Sequence, residues 1–151
     1  MDKDNFTIKK IKAAETRNLR QIILRPHQTP EELNYPGDDD KESVHFGLFY
    51  KEKLCGIASV YRQSPSGDNS TVSWRLRGMA TSEEVRGMGF GKELMKECLN
   101  YVKENNGEIF WCTARTTAES FYEIFGLKRQ GDVFTPEGLG EHVIMSINLQ
   151  Q

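Results

Sequence analysis

Along the chain, the spacing of apolar positions switches between a two-residue and a 3.6-residue period, and the switches mark out the elements. Phe6, Thr7 and Ile8 open a short strand that ends near Lys12. From Ala13 to Leu24 the positions Ala14, Leu19, Ile22 and Ile23 predict a helical stripe, which Pro26 closes. Two β-rich runs, Val44 to Tyr50 and Leu54 to Tyr61, flank Lys51-Glu52-Lys53 and predict a hairpin. A turn over Gln63 to Asn69 precedes a strand from Thr71 to Thr81.

The strongest helical period runs from Lys92 to Lys103. Leu94, Met95, Cys98, Tyr101 and Val102 share one face, while Lys and Glu fill the other. Asn105-Asn106-Gly107 ends it, with Gly107 expected to supply the left-handed cap. Ile109 to Thr113 reads as a buried strand, Thr117 to Ile124 as a short helix closed by Gly126. Two strands finish the chain, Leu127 to Phe134 and His142 to Leu149. The order β-α-β-β-β-α-β-α-β-β predicts one α/β domain, a mixed sheet with helices on its faces. Only the Pro-, Gly- and acid-rich stretch from Arg25 to Ser43 lacks a period, and so long a loop is often functional.

Composition narrows the class of partner. At 151 residues, with 37% hydrophobic and 28% charged, the chain has one ordinary core and is not a disordered or collagen-like sequence. A net charge of −2 lacks the cationic excess of a nucleic-acid binder, which points to a small-molecule partner. No window approaches the roughly 18 apolar residues of a bilayer span, and the charged start resembles no secretory leader. Cys55, Cys98 and Cys112 are an odd number without a CxxC, each within an apolar run. They are expected to be buried free thiols of a cytoplasmic protein.

The candidate chemistry centres on Arg86-Gly87-Met88-Gly89-Phe90-Gly91-Lys92, which joins a strand to the best helix. Glycine lets the backbone approach a ligand closely, and the free amides and dipole of a helix start suit phosphate. Arg86 and Lys92 would add charge-assisted contacts. A dinucleotide fingerprint starting at Gly87 fails, because Lys92 stands where its last glycine belongs. A Walker loop fails as well: Glu93 follows Lys92, and Arg86 replaces the first glycine.

What fits is Arg-x-x-Gly-x-Gly at Arg86, Gly89 and Gly91, preceded by the strand Leu76-Arg77-Gly78-Met79-Ala80-Thr81. Downstream, Ala118-x-x-Phe121-Tyr122-x-x-x-Gly126-Leu127 supplies a second motif in the right order. Together these resemble the acetyl-CoA signature and the late-helix motif of the GNAT N-acetyltransferase superfamily. The resemblance implies a single domain over 1–151, with an acceptor side in 1–70, acetyl-CoA motifs in 71–127 and closing strands in 128–151. Its sheet would be mixed, mostly antiparallel and splayed, with six to seven strands and helices on both faces.

The same resemblance implies an acetyl-CoA-dependent N-acetyltransferase whose acceptor, a primary amine of a small molecule or peptide, attacks directly in a ternary complex. The pyrophosphate would lie over Gly87, Met88, Gly89, Phe90 and Gly91, beside Arg86 and Lys92. Pantetheine would follow the edge of Met79, Ala80 and Thr81, and an amide of Met79 or Ala80 would polarise the thioester carbonyl. Tyr122 takes the place of the family's general acid, a phenol of pKa about 10 facing a thiolate of about 8.5. Phe121 lies beside it in the motif. Arg115 stands where the family often has a pantetheine-binding Asn, a departure that leaves its role between ligand contact and solvated cation.

The acceptor side carries no motif. His142, beside Glu141, and His27, in the long loop, are substrate-side candidates; each also suits a structural role. His45 opens a strand and suits packing. Glu83 and Glu84 read as solvated first-turn acids, and Asp38-Asp39-Asp40 as a solvated run that could also steer a cationic amine. No metal-ligand spacing occurs among the histidines, and Cys112, between Trp111 and Thr113, reads as core rather than nucleophile. A homodimer is expected from the family alone. A non-catalytic coenzyme A-binding module is the alternative, separable by whether acetyl transfer occurs.

Overall fold

In a computed structural model, residues 5–65 and 72–150 are described. The elements follow the expected order: β1 (Phe6–Ile11), α1 (Ala13–Leu19), β2 (Val44–Tyr50), β3 (Lys53–Tyr61), β4 (Ser73–Thr81), α2 (Phe90–Glu104), β5 (Ile109–Arg115), α3 (Glu119–Glu123), β6 (Lys128–Phe134) and β7 (His142–Asn148). The seven strands form a mixed sheet in the order β1-β2-β3-β4-β5-β7-β6. Antiparallel ladders join β1 to β2, β2 to β3, β5 to β7 and β6 to β7, whereas β4 and β5 run parallel. Part of the expected turn over Gln63 to Asn69, and Thr71 at the start of the expected strand, lie outside the described residues.

The chain divides into two compact units, Met1–Tyr61 with Arg77–Tyr101 and Arg62–Leu76 with Val102–Gln151. In the first, β2 and β3 are almost wholly buried, so their apolar runs are continuous rather than alternating. Their turn places Lys51 and Glu52 at φ 52° and 66°, the primed geometry that matches strand twist. Phe90 opens α2 with a buried ring 5.1 Å from Phe6 and 5.3 Å from Tyr50. Leu94, Met95 and Cys98 then bury completely, as their spacing predicts.

The first helix departs from its stripe. After α1 the backbone winds as a π-type turn over Arg20–Leu24, closed by the Arg25 amide on the Arg20 carbonyl at 2.9 Å. The wider turn breaks the 3.6 period. Arg20 stands in ordinary α register one turn after Thr16, its amide on the Thr16 carbonyl, and both are fully buried, while Ile22, assigned to the stripe, is 59% exposed. The expected loop from Arg25 to Ser43 contains one 3₁₀ turn, Pro30–Leu33, and buries Leu33, Tyr35 and Asp38.

In the second unit β5 pairs with β7 from Ile109↔Asn148 to Arg115↔His142. Asn106, not Gly107, takes the left-handed conformation after α2, at φ 62°. Gly107 is needed for space: a Cβ there would collide with Val102 Cγ1 and lie 2.7 Å from Trp74 Cδ1. Gly126 closes α3 at φ 92°, as expected. All three cysteines are buried free thiols, and burial pushes the Cys112 thiol up to about 12, which fits core packing and not a nucleophile.

Candidate active site

The glycine turn lies in the first unit. Ser82 leads a 3₁₀ turn at Glu83–Val85, and its amide is held by the Cys55 carbonyl at 2.8 Å. Gly87 and Gly89 follow at φ 85° and 82°, where an L side chain is strained, and a Cβ on either would meet no described residue within 4 Å. The chain here demands glycine for its conformation while leaving the adjoining space open. Gly91 differs: it sits in the first turn of α2 at ordinary helical φ. The Glu93 amide donates to the Gly89 carbonyl, so the amides of Phe90, Gly91 and Lys92 precede the first bond of the ladder.

Two predicted contacts change in kind. The Met88 amide donates to the Val85 carbonyl at 3.2 Å and is thereby engaged within the turn. The Phe90 ring is buried in the core, so only its backbone is available at the turn. Arg86 and Lys92 are exposed, with Arg86 Nη1 4.0 Å from Glu83 Oε1. Glu84 pairs with Lys53 at 2.8 Å, and that lysine holds its carboxyl below the usual range.

The strand before the turn supplies the second feature. Pairing between β4 and β5 runs from Ser73↔Ile109 to Leu76↔Cys112, while β4 continues through Met79, Ala80 and Thr81. Gly78 interrupts β4 at φ 69°, with a Cβ there 3.3 Å from the Tyr35 ring and 3.4 Å from Arg20 Nε. A lone glycine inside a strand is the sequence signal of such a kink.

Facing that kink is a buried polar cluster. Arg20 Nη1 donates to Asp38 Oδ2 at 2.6 Å and to the Leu33 carbonyl at 2.8 Å, and Nη2 donates to Asp38 Oδ1 at 3.0 Å. Tyr61 Oη and the Tyr35 amide also donate to the Asp38 carboxylate, at 2.5 and 2.8 Å. Burial opposes the charge on Asp38, but these donors prevail and hold its carboxyl below the ordinary range. His45 Nε2 donates to the Asp38 carbonyl at 2.9 Å, and its Nδ1 lies 2.6 Å from Ser59 Oγ. The acidic run is therefore divided: Asp38 is structural, and Asp39 and Asp40 are exposed. Among the described residues Arg20 Nε has no hydrogen-bond partner.

The second unit holds the remaining candidates. Tyr122 and Phe121 stand on α3, both half-buried, with ring centroids 5.2 Å apart in an edge-to-face pair. Arg115 ends β5, exposed, and its register partner on β7 is His142. His142 is buried, its Nδ1 2.9 Å from the Gly140 carbonyl and its ring 6.2 Å from Phe134. His27 is exposed in the loop between α1 and β2 of the first unit. Among the described residues no group of three or more His, Cys, Asp or Glu could hold a metal ion, and no helix is long and apolar enough to cross a membrane.

The chain is similar to known proteins over nearly its whole length. The family model for an acetyltransferase (GNAT) domain matches residues 10–149. The uncharacterized N-acetyltransferase YitI of Bacillus subtilis (strain 168) is 36% identical over 138 residues, which is 91% of this chain and 93% of that protein. Among solved structures, Escherichia coli ElaA superposes with a TM-score of 0.78 at 17% identity, covering 93% of this chain and 98% of its own. An aminoglycoside 6'-N-acetyltransferase complexed with coenzyme A reaches 0.74 at 14% identity, over 94% and 96% of the two chains. These last two likenesses concern the fold. The family model and the close relative show that the chain belongs to the GNAT acetyltransferases, enzymes that transfer an acetyl group from acetyl-CoA.

Proposed function

We propose that the protein acetylates a primary amine of a small molecule or peptide by direct attack on acetyl-CoA, without a covalent enzyme intermediate. The observation that carries the donor site is the pair Gly87 and Gly89, held at positive φ with open space where side chains would stand. In this reading the amides of Gly87, Gly89, Phe90, Gly91 and Lys92 face the pyrophosphate of coenzyme A, and Arg86 and Lys92 add charge. Met88 serves through its place in the turn, since its amide already has an acceptor.

The β4 backbone at Met79, Ala80 and Thr81 binds the pantetheine arm, and a Met79 or Ala80 amide stabilises the oxyanion that develops on the thioester carbonyl. The amine nitrogen forms a bond to the carbonyl carbon, and the carbon–sulfur bond breaks. Tyr122 gives its phenolic proton to the departing thiolate, and the new ammonium gives one to solvent. Phe121 and Arg115 serve the donor, and His142 and His27 are assigned to the acceptor. The protein works in the cytoplasm as one domain, and a homodimer is its proposed assembly.

Coenzyme A thiol release with acetyl-CoA and a broad panel of primary amines tests the reading. Amine-dependent release with matching N-acetyl product by mass supports it. Coenzyme A binding without release for any amine would instead favour a binding module.

A further inference from the structure

Around Tyr35 the first unit gathers more positive charge than it neutralises. The guanidinium carbons of Arg20 and Arg77 lie 4.0 and 4.1 Å from the Tyr35 ring centroid, and Arg25 is near enough to repel Arg77. Asp38 satisfies Arg20 through two parallel bonds. Among the described residues Arg77 makes its cation–π contact but no ion pair, and the Arg25 guanidinium bonds only the Leu24 carbonyl, at 3.0 Å. Arg77 is half-buried, and burial lowers its pKa from the ordinary value, yet a guanidinium stays charged. A partly desolvated cation beside two like charges is costly unless an anion joins it.

The location gives that anion a meaning. Arg77 stands two residues before Met79 on β4, with the Gly78 kink between them and the acceptor-side loop, through Tyr35, against it. The planar fork of arginine matches a carboxylate in two parallel bonds, the arrangement Arg20 already makes with Asp38. We propose that Arg77, aided by Arg25, binds a carboxylate carried by the acceptor, so that the amine acetylated belongs to an amino acid or an acidic peptide. This rests on the acetyltransferase reading above and adds the substrate class. Arg20 acts as a positioning residue, fixing Asp38, the loop and the Tyr35 ring on which Arg77 lies.

The test measures thiol release from acetyl-CoA with matched amines: each amino acid against its carboxamide and its decarboxylated amine, and peptides with Glu against the same peptides with Gln. The proposal predicts kcat/KM about tenfold or more higher for the carboxylated member, the worth of one charge-assisted contact. Preference among free amino acids or among Glu peptides identifies the source of the carboxylate. Arg77→Gln should erase the preference by raising acceptor KM while acetyl-CoA KM holds, and Arg77→Lys should restore part of it. Arg25→Gln should weaken it in an otherwise intact protein.

Equal use of neutral and carboxylated partners by the wild type would overturn the proposal, whether or not the Arg77 variants fold. So would an Arg77→Gln effect equal on both members, or turnover confined to amines without an acid. Failure of every amine, together with no coenzyme A-induced rise in unfolding midpoint, would sink the acetyltransferase reading and this proposal together.

Discussion

Arg20 and Asp38, eighteen residues apart, close a two-bond ion pair in which both side chains are almost fully buried. It joins the π-type turn after α1 to the loop before β2, and Tyr61, Ser59 and His45 tie it to β2 and β3. Removing one partner of such a pair leaves an uncompensated charge. Asp38→Asn and Arg20→Met are each expected to cost about 3–5 kcal/mol in urea unfolding. The double change Arg20→Met with Asp38→Leu should cost well under the sum, because neither charge remains buried.

The same pair gives a pH signature. The folded carboxyl of Asp38 is held below its ordinary value, while in the unfolded chain it returns to about 3.9. The stabilisation is therefore complete above that ordinary value and is lost as pH falls through the lowered folded one. Urea midpoints followed from neutral pH to about pH 2 should fall more steeply for the wild type than for Asp38→Asn.

Gly89→Ala separates backbone strain from ligand binding. Nothing stands where the new methyl would lie, so strain at φ 82° is the cost, roughly 1–2 kcal/mol. Gly138→Ala makes a fair control, being at φ 76° with equally open space but outside the turn. Both variants should lose similar stability. Only Gly89→Ala should weaken coenzyme A in calorimetry, by about tenfold for one lost or displaced contact.

Tyr122→Phe keeps the ring and its edge contact with Phe121. As the proposed acid, its loss should lower kcat by about 10²–10⁴ while coenzyme A affinity holds. A packing role would instead leave kcat unchanged and show only in the unfolding midpoint.

Legibility in the sequence followed the physics of each element. Strand β7 and helix α2 have periods that burial enforces, and β2 and β3 are continuous buried runs, so their residues identify them to within a few positions. The glycine turn was legible because positive φ at Gly87 and Gly89 restricts residue type directly. The α1 stripe differs from the buried face because Thr16 and Arg20, polar by type, occupy that face one turn apart, which apolar spacing does not reveal. Asp38 reads as part of a solvated acidic run, since its partner Arg20 is eighteen residues away in sequence and is itself polar by type. Gly107 shows the converse: the residue was identified, but its reason is the crowding of Val102 and Trp74 and not a cap.

The most direct test of the donor site is thermal unfolding with acetyl-CoA, coenzyme A, ATP and NAD side by side. Ligand at about 100 times its dissociation constant adds roughly 2.7 kcal/mol, a rise of several degrees for a chain of this size. The account predicts that rise with acetyl-CoA and coenzyme A, reduced in Gly89→Ala and retained in Gly138→Ala. A rise with ATP or NAD instead, or an equal response in both glycine variants, would contradict it.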